Sequence, residues 1–194
     1  PTNGIIGEEF GNENEAAEFV WILDPIDGTL SYIHGVPLFG SLIGLLHNGK
    51  PVLGCIHQPI LRQLCIGDNM TTTLNGEPVT VAKTAKIEDA SVMTTDIQNI
   101  KRHQSAEKWD LFAQKPALLR TWGDCYGYLL VATGKADAML DPILNPWDLL
   151  PVIPVIRGAG GIITGWNGSG EVETGASAIA ANPALHSHLI AALN

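Results

Sequence analysis

Cysteine is scarce in this sequence, and its few cysteines show no pattern of a disulfide framework or a zinc site. The 194 residues include three, Cys55, Cys65 and Cys125, an odd number with no C-x-x-C pair. Long apolar runs are also lacking: the stretch from Leu149 to Ile156 is short and interrupted by proline, whereas a membrane helix needs about 20 residues. No basic and apolar leader resembles a signal peptide. We therefore expect a soluble cytoplasmic protein with no membrane partner.

Lysine and arginine are few, and the first quarter of the chain has neither. The sequence has 11 Lys and Arg against 20 Asp and Glu, a net charge of −9, and the first of its Lys and Arg residues is Lys50. Nucleic-acid surfaces need clustered Lys and Arg, so nucleic acid is not an expected partner. The carboxylates before Lys50 are Glu8, Glu9, Glu13, Glu15, Glu18, Asp24 and Asp27. If some of them converge they require a cation; the alternative, a solvated acidic edge, is assigned to Glu13, Glu15 and Glu18.

Hydrophobic patterning and turn signals predict one domain over residues 1–194, of the α/β class with mixed α+β character. Residues 1–95 are predicted to carry an acidic loop and a largely antiparallel sheet, and residues 96–194 a C-terminal α/β half. The predicted strands are 19–23, 38–47, 51–57, 61–66, 71–74, 78–81, 91–95, 117–122, 136–140, 162–164 and 176–181. The predicted helices are 105–114, 126–133, 147–157 and one from residue 183. Asn48-Gly49 and Asn75-Gly76 predict tight hairpin turns.

An acidic loop, Asp24-Pro25-Ile26-Asp27-Gly28-Thr29, follows the apolar run 19–23, which is typical of a buried strand. Ligand sites in α/β proteins favour the carboxyl ends of strands. Proline fixes one φ angle and glycine permits a tight bend, so two carboxylates and a main-chain carbonyl can face one point. Such oxygen ligands suit Mg²⁺, Mn²⁺ or Ca²⁺ better than zinc. Taken alone, however, the loop is more simply a β-turn.

Two further motifs accompany this loop. Gly7-Glu8-Glu9 lies upstream behind Ile5-Ile6, and Asn145-Pro146-Trp147-Asp148 lies downstream at the predicted start of a helix. In this order the motifs resemble those of the inositol monophosphatase superfamily, and the resemblance runs from residue 5 to about residue 165. The segment 123–137 is similar to the family's second phosphate-proximal segment. The resemblance implies a magnesium-dependent phosphomonoesterase with a layered αβαβα sandwich, here lacking its N-terminal helices.

The resemblance also implies two or three Mg²⁺ ions, with Mn²⁺ as a possible substitute. The implied metal ligands are Glu8, Asp24, Ile26 through its carbonyl, Asp27 and Asp148. Asp24 would bridge two ions, which explains why so many acids crowd one place. Without the resemblance, Asp148 would be read as a helix cap and Glu9 as a solvated neighbour.

The implied catalytic pair is Glu8 and Thr29, which hydrogen-bond to each other in family members. The pair would orient and help deprotonate a water molecule that attacks phosphorus in line. The implied phosphate contacts are Ile26, Asp27, Gly28 and Thr29. The N–H groups of Gly28 and Thr29 would be the donors if a helix starts there. No covalent phosphoenzyme is expected.

Contacts to the organic part of the substrate are assigned to Gly123, Asp124, Cys125 and Asp141. The pattern Arg120-x-x-Gly123-Asp124-Cys125-Tyr126 resembles the histidinol-phosphate phosphatase branch, which implies a role in histidine biosynthesis. Two carboxylates would suit the ammonium and imidazole groups of histidinol phosphate. The alternative interpretations are a helix N-cap for Asp124 and a small core residue for Cys125.

Two other functions stay open. The substrate could instead be inositol 1-phosphate or a related sugar phosphate, because electrostatic complementarity is a weak discriminator. A function of another class, a non-catalytic domain that binds metal or phosphate, also fits the pattern. The small-molecule phosphate monoester is the main expected partner, and the resemblance implies a homodimer.

Overall fold

The larger of two β-sheets contains most of the first half of the chain. The computed structural model describes residues 2–9, 11–170, 172 and 176–194. The sheet has eight strands in the order β2-β1-β3-β4-β5-β6-β7-β8. The strands are β1 Gly4–Gly7, β2 Gly11–Glu13, β3 Phe19–Asp27, β4 Gly40–His47, β5 Lys50–Gln58, β6 Gln63–Gly67, β7 Thr72–Leu74 and β8 Glu77–Pro78. All neighbours are antiparallel except β1 and β3, so the largely antiparallel sheet predicted from the sequence is confirmed.

Tight turns join the strands where the Asn-Gly pairs predicted them. Asn48 and Gly49 have φ angles of 51° and 77°, and Asn75 and Gly76 have 51° and 89°. Two consecutive residues with positive φ match the twist of the flanking strands, and asparagine and glycine adopt that conformation at low cost. The last strand that the sequence predicts for this sheet, 78–81, ends early: β8 stops at Pro78. The Val81 N–H donates to the Ala159 carbonyl, away from the sheet.

The second sheet is built from the second half of the chain and begins at Ser91. Its five strands have the order β10-β9-β11-β13-β12. They are β9 Ser91–Thr94, β10 Leu118–Arg120, β11 Ala138–Asp141, β12 Ile162–Thr164 and β13 Ala178–Ala181. The helices are α1 Thr29–Ile33, α2 Ile97–His103, α3 Ala106–Phe112, α4 Asp124–Ala132, α5 Pro146–Leu149, α6 Val152–Gly158 and α7 Pro183–Leu193. None of these helices is long and apolar enough to cross a membrane.

The described residues form four layers. Helices α4 and α6 lie between the sheets and contact both, with residues such as Leu129 and Val155 in one continuous core. Helices α3 and α7 cover the far side of the second sheet, where Trp109 and Leu189 are buried. Sheet and helix thus alternate twice, which confirms the mixed, layered fold class.

One predicted helix is wrong in its continuity. The sequence predicts a single helix over 147–157, but the chain forms α5 and α6 with a break at Leu150 and Pro151. Proline has no N–H to donate to the carbonyl of the preceding turn, so Pro151 starts a new helix. Pro154 is tolerated because it lies in the first turn of α6. The break frees α5 to present Asp148 beside β3, which it contacts.

Candidate metal and phosphate site

A bulge at the end of β3 turns two carboxylates to the same side. Alternation along a strand places residues three apart on opposite faces. Between Asp24 and Asp27, however, the register with β4 shifts: Asp24 pairs with Leu42 and Asp27 with Gly40, so β3 carries one extra residue. A bulge of this kind re-aims side chains, and both aspartates are buried, with Asp24 1% exposed. The extra residue therefore converts an alternating strand end into a two-carboxylate site.

Helix α5 supplies a third carboxylate. One oxygen each of Asp24, Asp27 and Asp148 lies within 4.8 Å of the other two. Asp148 is the third residue of α5, and its Oδ2 accepts a hydrogen bond from the Asn145 N–H at 2.9 Å. The two interpretations of Asp148 are thus compatible in this geometry: the side chain caps the helix start with one oxygen and faces the other acids.

Parallel pairing places a fourth acid beside the group. Strand β1 pairs with β3 in a register that sets Gly7 opposite Leu23, and the Glu8 N–H donates to the Leu23 carbonyl at 3.3 Å. Glu8 therefore follows β1 beside Asp24, although it is exposed and lies outside the group of three. Burial, and after it the negative charge of Glu8, raises the pKa of Asp24 to about 7.

The donor set fits a hard divalent cation. Burial raises the pKa of Asp27 well above its ordinary value, and Asp124 raises it further. Among the described residues that line the cleft around these acids there is no Lys, Arg or His. Carboxylates this close, without a basic partner, are costly unless they are protonated or bind a cation. Carboxylate and carbonyl oxygens are what Mg²⁺ prefers, so the residues present match the predicted ion.

The turn after β3 leads into α1. Gly28 has a φ of 81°, in the left-handed region, and precedes the first helical residue, Thr29. The Thr29 hydroxyl donates to the Ile26 carbonyl at 3.1 Å. The resemblance implied that the Thr29 hydroxyl bonds to Glu8. In the structure it bonds instead to a carbonyl only three residues earlier and so closes the turn locally. The first N–H groups of a helix have no acceptor within it, so those at the start of α1 are available to a ligand.

The start of α4 closes the other side of the cleft. The Cys125 N–H donates a hydrogen bond to Asp27 Oδ2. Cys125 is buried and burial raises the pKa of its thiol well above the ordinary value, so its side chain is an unreactive part of the core. The Asp124 carboxylate lies over Gly28: a Cβ on Gly28 would come 3.0 Å from Asp124 Oδ2.

Asp124 is the first residue of α4, and Gly123 takes the N-cap position that the alternative interpretation gave to Asp124. Burial, followed by the negative charge of Asp148, raises the pKa of Asp124 to about 6. Its φ of 50° is unusual for a residue other than glycine. The side chain lines the cleft over Gly28, and a hydrogen bond with the Ser31 side chain offsets part of the rise in its pKa.

Asp141 is the last residue of β11, and its side chain is buried. It is 2% exposed, and burial raises its pKa to about 7. Its Oδ1 accepts a hydrogen bond from the Thr95 N–H at 3.4 Å, and its Oδ2 accepts one from the Tyr128 hydroxyl at 2.9 Å. It still lines the inner part of the cleft, together with Asp124.

The sequence interpretation missed several cleft residues: Thr95, Asp96, Asn99 and Tyr128. One signal was available for the first of them. Thr95 directly follows strand β9, as Gly28 and Thr29 follow β3, and ligand sites favour the ends of strands. Tyr128 gave no signal, because an aromatic residue in an apolar helix is ordinarily part of the core.

Together, the layered fold and the buried acid group in a cleft are those of a metal-dependent phosphatase. The family model described as "Inositol monophosphatase family" matches residues 1–194. The chain belongs to the inositol monophosphatase family.

Named relatives agree with this assignment. The chain is 38% identical to a histidinol-phosphatase of Chlorobaculum parvum, over 100% of this chain and 75% of that protein. It is 43% identical to the chloroplastic bifunctional phosphatase IMPL2 of Arabidopsis thaliana, over 93% of this chain and 53% of that protein, so it spans only about half of that relative. Among solved structures, an inositol monophosphatase of Zymomonas mobilis superposes with a TM-score of 0.90 at 32% identity, covering 100% of this chain and 76% of that one.

Proposed function

We propose that this chain hydrolyses a phosphate monoester with Mg²⁺, and that its substrate is histidinol phosphate. The observation that carries the proposal is the buried group of Asp24, Asp27 and Asp148, whose oxygens lie within 4.8 Å of one another. Family membership supports the phosphatase class. The substrate rests on the charge of the cleft and on the names of relatives.

In this proposal the group of three, with Glu8 and the Ile26 carbonyl, holds the ions. When bound, Mg²⁺ neutralises phosphoryl and leaving-group oxygens and makes water more acidic. The chain's own contribution is positional. Glu8 and Thr29 orient the attacking water, and N–H groups at the start of α1 donate to the phosphate.

The charge of the cleft favours a cationic substrate. Seven carboxylates line it: Glu8, Asp24, Asp27, Asp96, Asp124, Asp141 and Asp148. Two divalent ions would offset four of these negative charges, and the phosphate of the substrate adds more. An ammonium or imidazolium group near Asp124 and Asp141 would compensate part of the remainder, whereas the hydroxyls of inositol carry no charge.

The relatives support the same preference. Two proteins named histidinol-phosphatase are 38% and 32% identical to this chain, whereas two named inositol monophosphatase are 32% and 31% identical and one named fructose-1,6-bisphosphatase/inositol-1-monophosphatase is 28% identical. Inositol 1-phosphate or another sugar phosphate is the second candidate substrate, because other relatives are named for inositol monophosphatase. A homodimer remains part of the proposal.

A phosphate-release panel tests the proposal. Histidinol phosphate, inositol 1-phosphate, fructose 1,6-bisphosphate and adenosine 3′,5′-bisphosphate are offered with Mg²⁺ and with a chelator. We expect Mg²⁺-dependent release that is fastest, per kcat/KM, from histidinol phosphate. A preference for inositol phosphate would favour the second candidate. No release from any monoester, with Mg²⁺ binding retained, would favour a non-catalytic binding domain.

A further inference from the structure

We infer that Thr95 and Tyr128 are positioning residues that fix Asp124 and Asp141 in the cleft and thereby set selectivity for the organic part of the substrate. The inference rests on the proposed function, in which those two carboxylates face that part of the substrate. Neither residue has a role that the sequence alone predicts: Thr95 lies outside the sequence motifs, and Tyr128 lies in the segment 123–137 but resembles an ordinary core residue of an apolar helix.

Thr95 links the two carboxylate-bearing segments. Its N–H donates to Asp141 Oδ1 at 3.4 Å, and its Oγ1 accepts a hydrogen bond from the Asp124 N–H at 2.9 Å. The fit is tight, because a Cβ on Gly123 would come 2.3 Å from Thr95 Cα. One residue at the end of β9 thus contacts the backbone that orients Asp124 and the side chain of Asp141.

Tyr128 donates to the other oxygen of the Asp141 carboxylate. Its ring is buried, 1% exposed, and its hydroxyl donates to Asp141 Oδ2 at 2.9 Å. It lies one helical turn after Asp124 in α4, so both face the same side of the helix. Each Asp141 oxygen therefore has one donor and keeps acceptor capacity for a ligand.

These contacts place the two residues apart from the hydrolytic machinery. Their recorded side-chain bonds go to Asp124 and Asp141, not to the group of three acids at the end of β3 and in α5. A buried carboxylate that loses a donor turns toward another partner or takes up a proton. Either response misplaces the group that meets the substrate, while the proposed metal ligands keep their contacts.

The chain offers matched variants for the test. Tyr128→Phe removes the bonded hydroxyl, and Tyr126→Phe removes one from a half-buried tyrosine of the same helix that lines an apolar groove. Thr95→Val removes the bonded hydroxyl, whereas Thr94→Val removes a fully buried one that has no hydrogen-bond partner among the described residues. Thr95→Ser keeps the bond and serves as the conservative rescue.

The assay compares kcat and KM for the preferred monoester of the wild-type panel and for p-nitrophenyl phosphate, which lacks amine and polyol groups. Tyr128→Phe removes a bond to the Asp141 carboxylate, and Thr95→Val leaves the Asp124 N–H without its acceptor. For both variants we expect KM for the preferred substrate to rise about tenfold, the usual effect of such a loss. We expect kcat, turnover of p-nitrophenyl phosphate and the Mg²⁺ concentration for half-maximal activity to change by less than about twofold. Thr95→Ser and both control variants should match the wild type.

The outcomes separate this inference from the proposed function. Variants that lose activity equally on both substrates, or that leave the preference unchanged, overturn the positioning role. If the wild type prefers another monoester, histidinol phosphate is refuted as the substrate but the positioning role is not. The inference then requires Tyr128→Phe and Thr95→Val to weaken the preference for that other monoester. A wild type that hydrolyses neither substrate overturns both, because there is then no selectivity to set.

Discussion

Replacing Asp24 with asparagine should affect stability and activity in opposite directions. Its oxygen lies within 4.8 Å of those of Asp27 and Asp148, and at an effective dielectric constant of about 20 each such ionised pair repels by about 3 to 4 kcal/mol. Burial, and after it Glu8, raises the pKa of Asp24 to about 7 from 3.8, which corresponds to a penalty of about 4 kcal/mol for the ionised form in the metal-free protein. The amide oxygen of asparagine can still accept from the Ile26 N–H, a bond of 2.9 Å, so the turn is retained.

Thermal unfolding with a chelator at about pH 8.5 measures the first effect. Metal-free Asp24→Asn should be more stable than the metal-free wild type by on the order of 2 to 4 kcal/mol, or roughly 5 to 10 °C in Tm for a domain of this size. With Mg²⁺ at about 100 times Kd most of this difference should disappear, since binding adds about 2.7 kcal/mol to the wild type alone; at about 1,000 times Kd, where it adds about 4.1 kcal/mol, the order should reverse. Phosphate release should fall at least about a thousandfold, because several kcal/mol of charge stabilisation are lost.

The control is Glu15→Gln, which removes the same charge from an exposed residue and should change neither measurement. A metal-free Asp24→Asn that is no more stable than the wild type would show that the three carboxylates do not repel in the fold. Retention of the Mg²⁺-dependent shift in Tm, or of normal turnover, would refute the assignment of Asp24 as a metal ligand.

Three further predictions concern pH, selection and packing. In the presence of a chelator, the stability of the fold should fall as pH rises from about 4 through 7. Asp24 and Asp141 have folded pKa values of about 7 against 3.8 unfolded, so the folded state binds more protons in that window. Thermal unfolding scans should show this fall and Mg²⁺ should reduce it, whereas a flat profile would contradict the pKa shifts. Asp141→Ala should mainly raise KM for histidinol phosphate, and an equal fall in kcat for every monoester would contradict its selective role. Gly40→Ala should cost about 1 to 3 kcal/mol in urea unfolding, because the new Cβ would lie 2.8 Å from both Cys125 Sγ and the His57 carbonyl oxygen; Gly170→Ala, with open space, is the control.

Local chemistry made much of the fold predictable from the sequence. The Asn-Gly pairs determine hairpin turns because both residues tolerate positive φ, and the apolar run before Asp24 forms a strand whose inward positions are buried. The long helix over 147–157 was mispredicted for an equally local reason, since the effect of Pro151 depends on whether it falls inside a helix or at its start.

The site was less accessible to sequence reasoning, because its geometry depends on pairing between distant segments. Spacing alone cannot reveal the bulge that turns Asp24 and Asp27 to one side, since it is defined by the register with β4. The parallel pairing of β1 with β3, which brings Glu8 to Asp24, joins segments on either side of β2. The bonds of Asp141 to Thr95 and Tyr128 span 46 and 13 residues, with no motif to mark them.

The two sheets divide the cleft into parts that can vary separately. Glu8, Asp24 and Asp27 follow or end strands of the larger sheet. Asp141 ends a strand of the smaller sheet, and its partner Thr95 follows another strand of that sheet. Thr95 also accepts a hydrogen bond from the N–H of Asp124, the first residue of α4. Substitutions in the smaller sheet can therefore change which organic group is accepted without moving the proposed metal ligands. Such a division fits a family whose members carry the names of different substrates while sharing the fold, and it agrees with the inference that Thr95 and Tyr128 position the carboxylates that set selectivity.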